Sequence, residues 1–168
     1  MKMESLKEGV GSLLDNVTEG WRHLTRSAAG ALTRFRPGQS TELPAEGNVD
    51  DTSYLATRGW AMLGGDVFED DTRLVVRLEI PGMEKQELGI EVRDESMVVS
   101  GEKRFAREST AGRWRVMQCA YGSFRRVVPL PVPVLADKAH ATYSNGVLRV
   151  ELPKATPGKP KSVSITVE

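Results

Sequence analysis

Two hydrophobic periods divide this chain. Leu6, Val10, Leu13, Leu14, Val17, Trp21, Leu24, Ala28, Leu32 and Phe35 recur at steps of three and four. That spacing predicts one apolar stripe on a helix, with Lys7, Glu8, Asp15, Glu19, Arg22 and Arg26 mostly off it. Gly9, Gly11, Gly20 and Gly30 interrupt the stripe. Each weakens a helix by about 1 kcal/mol relative to alanine. The expectation for residues 1–36 is an imperfect amphipathic helical arm, or a pair of helices. Such an arm either docks on its own domain, or self-associates or binds something apolar. Membrane-surface binding is disfavoured because its polar face is mixed in sign.

Residues 37–58 hold turn formers and acids with little period, and read as a linker. From about Trp60 to Lys154 the period becomes two. "TRLVVRLEIPG" places Leu74, Val76, Leu78 and Ile80 on one face and Arg73, Arg77 and Glu79 on the other. "ELGIEVRDESMVVSGEK" repeats the pattern with Leu88, Ile90 and Val92, turns at Asp94-Glu95, and continues with Met97 and Val99. Asn145-Gly146 is a strong hairpin signal, and Leu148, Val150 and Leu152 follow it in alternation. Short strands separated by turns, without intervening helices, predict an all-β fold, an immunoglobulin-like antiparallel β-sandwich over residues 59–154. The prolines from Pro129 to Pro133 predict an extended connection that leaves the sheet. Residues 155–168 read as a short flexible extension. It is a Pro/Gly/Lys spacer followed by Val163, Ile165 and Val167 alternating with hydroxyl residues.

Composition narrows the function. The 168 residues carry 23 basic and 23 acidic side chains, so no global charge argues for nucleic acid or an anionic membrane. Cys119 is the single cysteine, which excludes an internal disulfide and fits a reducing compartment. No apolar run approaches the roughly 20 residues of a membrane span, and the N-terminus lacks the apolar core of a secretory signal. The expected location is the cytoplasm. His23 and His140 are unclustered, and "TPGKPK" lacks the first glycine of a P-loop. No nucleophile–base arrangement appears. The expectation is no catalysis, no cofactor, no metal and no small-molecule substrate.

Three segments resemble a known family. Ala141–Leu148, "ATYSNGVL", is similar to the A-x-x-x-n-G-v-L signature of the α-crystallin domain. "EIPGMEKQELGIEV" resembles that domain's Pro-Gly segment, and "YGSFRRVVPLP" its Y-G-S-F-x-R-x-f-x-L-P segment. They occur in the family's order, flanked as in the family by a variable arm and a tail with an I-x-I-like motif. The chain is identified as resembling a bacterial small heat-shock protein. The resemblance implies an ATP-independent holdase that dimerises through the domain and forms larger homo-oligomers through arm and tail. It implies unfolded clients as partners, with ATP-dependent chaperones acting downstream. A p23-like co-chaperone or adaptor sandwich binding one folded partner is the alternative; the tail motif and the arm count against it.

The resemblance also assigns residues. Val163 and Ile165 match the paired apolar residues of I-x-I, and Val167 offers a second register. Same-face residues two apart stand about 7 Å apart and can fill two holes while the backbone joins a strand edge. The open alternative is that 162–167 form the last strand of their own sandwich. The receptor groove implied by the family lies between the strand of Leu88, Ile90 and Val92 and the strand of Ala139 and Ala141. Alternation alone equally allows these five to face the core. Arg126 alternates with Phe124 and Val128, so it is either partly buried, at the family's dimer interface, or exposed by a local twist. Arg125 falls on the opposite face. A short strand, Trp114 to Gln118, is expected to exchange with a partner, with Trp114 and Val116 as apolar contacts. Gln118-Cys119-Ala120 departs from the family's E-R-S, which puts the usual ion pairs around Arg126 in doubt. In the arm, Leu13, Leu14, Val17, Trp21 and Leu24 are the candidates for self-association and client binding.

Overall fold

The computed structural model describes residues 30–57, 59–108 and 112–158. The chain divides into two units, Met1–Leu32 and Thr33–Glu168. Nine strands are described: β1 (Leu32–Arg36), β2 (Gly59–Met62), β3 (Gly65–Glu69), β4 (Arg73–Glu79), β5 (Leu88–Arg93), β6 (Ser96–Lys103), β7 (Gly122–Pro129), β8 (His140–Ser144) and β9 (Val147–Pro153). They form a five-stranded sheet in the order β2-β1-β7-β6-β5 and a four-stranded sheet in the order β3-β4-β9-β8.

Alternation becomes burial where a strand has neighbours on both sides. Leu74, Val76 and Leu78 stand opposite Leu152, Val150 and Leu148 across β4 and β9, all at most 2% exposed. Met97, Val99, Phe124 and Val128 supply the facing layer from β6 and β7. Each fully buried side chain of this kind contributes about 1.5–3 kcal/mol, so the interleaved layers hold the two sheets together. The β8–β9 turn is the one read from Asn145-Gly146. Both residues have positive φ, 52° and 76°, as a two-residue turn matched to strand twist requires. A Cβ on Gly146 would also stand 3.2 Å from Pro81 Cα.

Three expectations change. The helical stripe does not reach residue 36: Leu32–Arg36 is a strand, with Thr33 and Phe35 buried and Arg34 and Arg36 exposed. Phe35 lies opposite Phe124, their rings 5.0 Å apart. The three-residue step from Leu32 to Phe35 suits a helix locally, but a core site for the aromatic ring outweighs so weak a preference. The stretch 37–58 is more than a spacer. It makes 3-10 turns at Gln39–Thr41 and Glu46–Asn48, buries Thr41 and Val49, and lets the Tyr54 hydroxyl donate to Pro44 O at 2.8 Å. Finally, the proline run begins inside the sheet. Pro129 ends β7 opposite Ser96, and only from Pro131 onward does the chain leave it.

Candidate functional site

Among the described residues the sandwich has two flanks that no further strand covers. Only Leu63 and Gly64 join β2 to β3, so these two edge strands lie side by side. The other two edges, β5 and β8, therefore share the opposite flank. Among the described residues β5 pairs only with β6, β8 only with β9 and β3 only with β4, which leaves the other row of N–H and C=O groups of each without a strand partner there.

The β5/β8 flank holds the residues read as a groove. Leu88, Ile90 and Val92 are half-buried and pack against the core, while Gly89, Glu91 and Arg93 between them are exposed. One side of each of these three side chains rests on the core and the remainder is uncovered. Ala141 lies opposite Val150, which places it on the inner face of β8, yet it is exposed. Ala139 is not in that strand. It caps the 3-10 turn Ala136–Lys138, and β8 starts at His140. Its backbone N–H is used by that turn, bonding Ala136 O at 3.2 Å.

The other flank was less legible. In β3, Val67 is 42% and Phe68 59% exposed, an apolar pair at a sheet edge that sequence reading did not single out. In sequence the pair stands among Asp66, Glu69, Asp70 and Asp71, and nothing local marks it as exposed. The segment expected to form a strand from Trp114 to Gln118 makes one isolated bridge, a parallel one between Trp114 and Val49. Asp50 N donates to Trp114 O at 2.9 Å, and the Asp50 carboxylate accepts from both Arg113 and Arg115. Bonding to Arg113 first, then the charge of both guanidiniums, holds the Asp50 carboxyl below its usual range. Trp114 is also half-covered by its own loop: the Phe105 ring packs tilted against it, centroids 5.4 Å apart, and edge-on to Tyr121 at 5.2 Å. Val116, at 59% exposed, is the freer of the two expected contacts.

Arg126 lies opposite Val99, between Phe124 and Val128 on the core side of β7, and is partly buried; Arg125 is exposed. Its Nε is buried without a hydrogen-bond partner among the described residues, and burial pushes the guanidinium pKa down. A guanidinium N–H left this way is a site wanting an acceptor. Cys119 is a free, exposed thiol. Lys154, from sequence only the last residue of the domain, is buried and ion-paired. The tail residues Val163, Ile165 and Val167 lie outside the described residues, as do the arm residues Leu13, Leu14, Val17, Trp21 and Leu24.

No helix among the described residues is long and apolar enough to cross a membrane. The model of the Hsp20/alpha crystallin family matches residues 66–168. A 17.8 kDa class I heat shock protein of Solanum lycopersicum is 28% identical over 135 residues, 79% of this chain and 83% of that protein. Heat shock protein 16 of Schizosaccharomyces pombe is 35% identical over 98 residues, 57% of this chain and 68% of the relative. The match to small heat shock protein C2 of Rickettsia felis spans 65% of that protein's length, at 26% identity. Among solved structures, heat shock protein 16.0 from Schizosaccharomyces pombe superposes with a TM-score of 0.54 at 32% identity, covering 63% of this chain and 97% of that one.

Proposed function

This chain belongs to the Hsp20/alpha crystallin family, and we propose that it works as an ATP-independent holdase, a homo-oligomer that keeps partly unfolded proteins from aggregating. The observation that supports this reading is the pair of flanks of the sandwich left without a further strand among the described residues. On one, Leu88, Ile90 and Val92 present half-covered apolar surface beside an unpaired strand edge. The occupant is another subunit's tail, with Val163 and Ile165 as its two knobs. Burying two such side chains is worth roughly 3–6 kcal/mol. Ordering the tail consumes much of that, so each contact is weak and reversible, and many per oligomer act together.

On the other flank, Val67 and Phe68 of β3 receive the Trp114–Gln118 segment of a second copy, forming the dimer. Val116 supplies the apolar contact, and the unpartnered Arg126 Nε finds its acceptor when that interface forms. The arm, with Leu13, Leu14, Val17, Trp21 and Leu24, extends the assembly and takes part in client capture. Heating loosens the many weak contacts and exposes these apolar surfaces. Clients are then passed on to ATP-driven chaperones in the cytoplasm. The protein needs no cofactor and catalyses no reaction.

The test has two arms. Purified protein should suppress heat-induced aggregation of an unrelated protein without ATP, and no suppression would refute the holdase reading. Deleting residues 161–168, or combining Val163→Ala with Ile165→Ala, should shrink the particle toward dimers by light scattering after size exclusion. An unchanged mass would refute the role of the tail.

A further inference from the structure

Lys154 is the one charged residue that is buried among the described residues, and its side chain is 4% exposed. An ammonium withdrawn from water persists only where its three N–H groups find acceptors. Here they do: Glu69 Oε1 at 2.6 Å, Asp70 O at 3.2 Å and Gly158 O at 2.6 Å. The main chain follows the same path. Lys154 N donates to Thr72 O at 2.8 Å, Ala155 N to Pro133 O at 2.9 Å and Gly158 N to Asp71 O at 2.8 Å. Residues 154–158 therefore close a loop on the ammonium of their own first residue, and that loop is fastened to the β3–β4 turn. The turn is itself firm, because Asp70 Oδ1 accepts from Thr72 N, Thr72 Oγ1 and Arg73 N at 2.8–2.9 Å. By composition, "KATPG" is an ordinary spacer. Nothing in a spacer calls for a buried charge.

We infer that Lys154 is a positioning residue that moves the tail's point of departure from the end of β9 to Gly158 and ties it to the end of β3. This rests on the reading that the tail docks on a neighbouring subunit. Its consequence is a limit on reach. Val163 lies five residue steps beyond Gly158, a span of about 17 Å at full extension. Released at Lys154, the nine steps to Val163 would span about 31 Å. The locked root thus restricts which neighbouring β5/β8 flank a tail can enter, and so narrows the set of oligomers. Because Glu69 ends β3, the same ion pair links the root of the tail to the edge offered to a second copy.

The test compares full-length Lys154→Met, Glu69→Gln and their combination with the parent and with the 161–168 deletion. Amide hydrogen exchange at Gly158 and native mass spectrometry are read well below the unfolding temperature. The variants should keep the sandwich by circular dichroism, lose about ten-fold or more of the protection at Gly158, and populate a wider range of subunit numbers than the parent. Glu69→Gln serves should Lys154→Met fail to fold. Unchanged protection at Gly158 would overturn the proposal, and so would lost protection with the parent's subunit distribution. If the deletion leaves the mass unchanged, the tail reading itself fails and this inference with it. If the deletion shrinks the particle while the Lys154 and Glu69 variants keep the parent distribution, only the positioning role falls.

Discussion

β4 and β5 carry nearly the same pattern and meet different fates. Leu74, Val76 and Leu78 in β4 are at most 1% exposed, whereas Leu88, Ile90 and Val92 in β5 are only half-buried. β4 lies between β3 and β9, and its inner residues are roofed by the facing sheet; β5 ends its sheet and has a neighbour on one side alone. The difference teaches that alternation identifies a face, while position in the sheet decides how much of that face remains available to a ligand. Strands inside the sandwich spend their apolar residues on stability. Edge strands leave part of theirs uncovered.

The sharpest way to break this comparison is to truncate one residue from each strand. Leu78→Ala should lower unfolding free energy by about 2–5 kcal/mol, the range for a fully buried leucine, in denaturant titration. Ile90→Ala should cost about 1–2 kcal/mol, since much of its surface is already exposed, yet reduce oligomer mass as the tail truncation does. Equal losses of stability, or an undiminished oligomer, would remove the distinction. On the opposite flank, Phe68→Asp and Val116→Asp should leave the monomer fold intact while weakening the dimer about ten-fold or more, as for a central apolar contact. Analytical ultracentrifugation reads this directly, and an unaltered dimer would show that β3 is not the edge used. The smallest effect is expected at the β3–β4 turn. Bonds from Thr72, then Arg73, hold the Asp70 carboxyl down at about 2, from 3.8. A lowered folded-state value stabilises above the unfolded pKa, so its contribution is present above about pH 3.8 and is lost as pH falls toward 2. NMR titration of the Asp70 carboxyl near its ordinary value would contradict that turn geometry.

Much of the fold was legible because it depends on local rules. The period of two marked β4, β5, β6 and β9, and Asn145-Gly146 placed a hairpin. Errors arose where long-range contacts overrule local ones. Phe35 fits a helical step from Leu32, but its place opposite Phe124 turns the segment into a strand. Asp50 reads as a linker acid, but Arg113 and Arg115, more than 60 residues away in sequence, give it partners. Of the candidate site, Arg126 was legible as an inward arginine between Phe124 and Val128. Val67 and Phe68 were not, because exposure at a sheet edge leaves no signature in sequence.

By itself the sequence determined that residues 73–103 and 140–153 alternate, turn and pair as antiparallel strands of a sandwich, because side-chain direction in a strand repeats every second residue. It also carried the motifs that connect the chain to its family. Only the tertiary structure decided which strands lie at the edges, that the tail root is held at Gly158, and that Lys154 is buried. These facts depend on the order of strands within each sheet and on contacts between residues far apart in the chain. No local pattern encodes which neighbour a strand lacks.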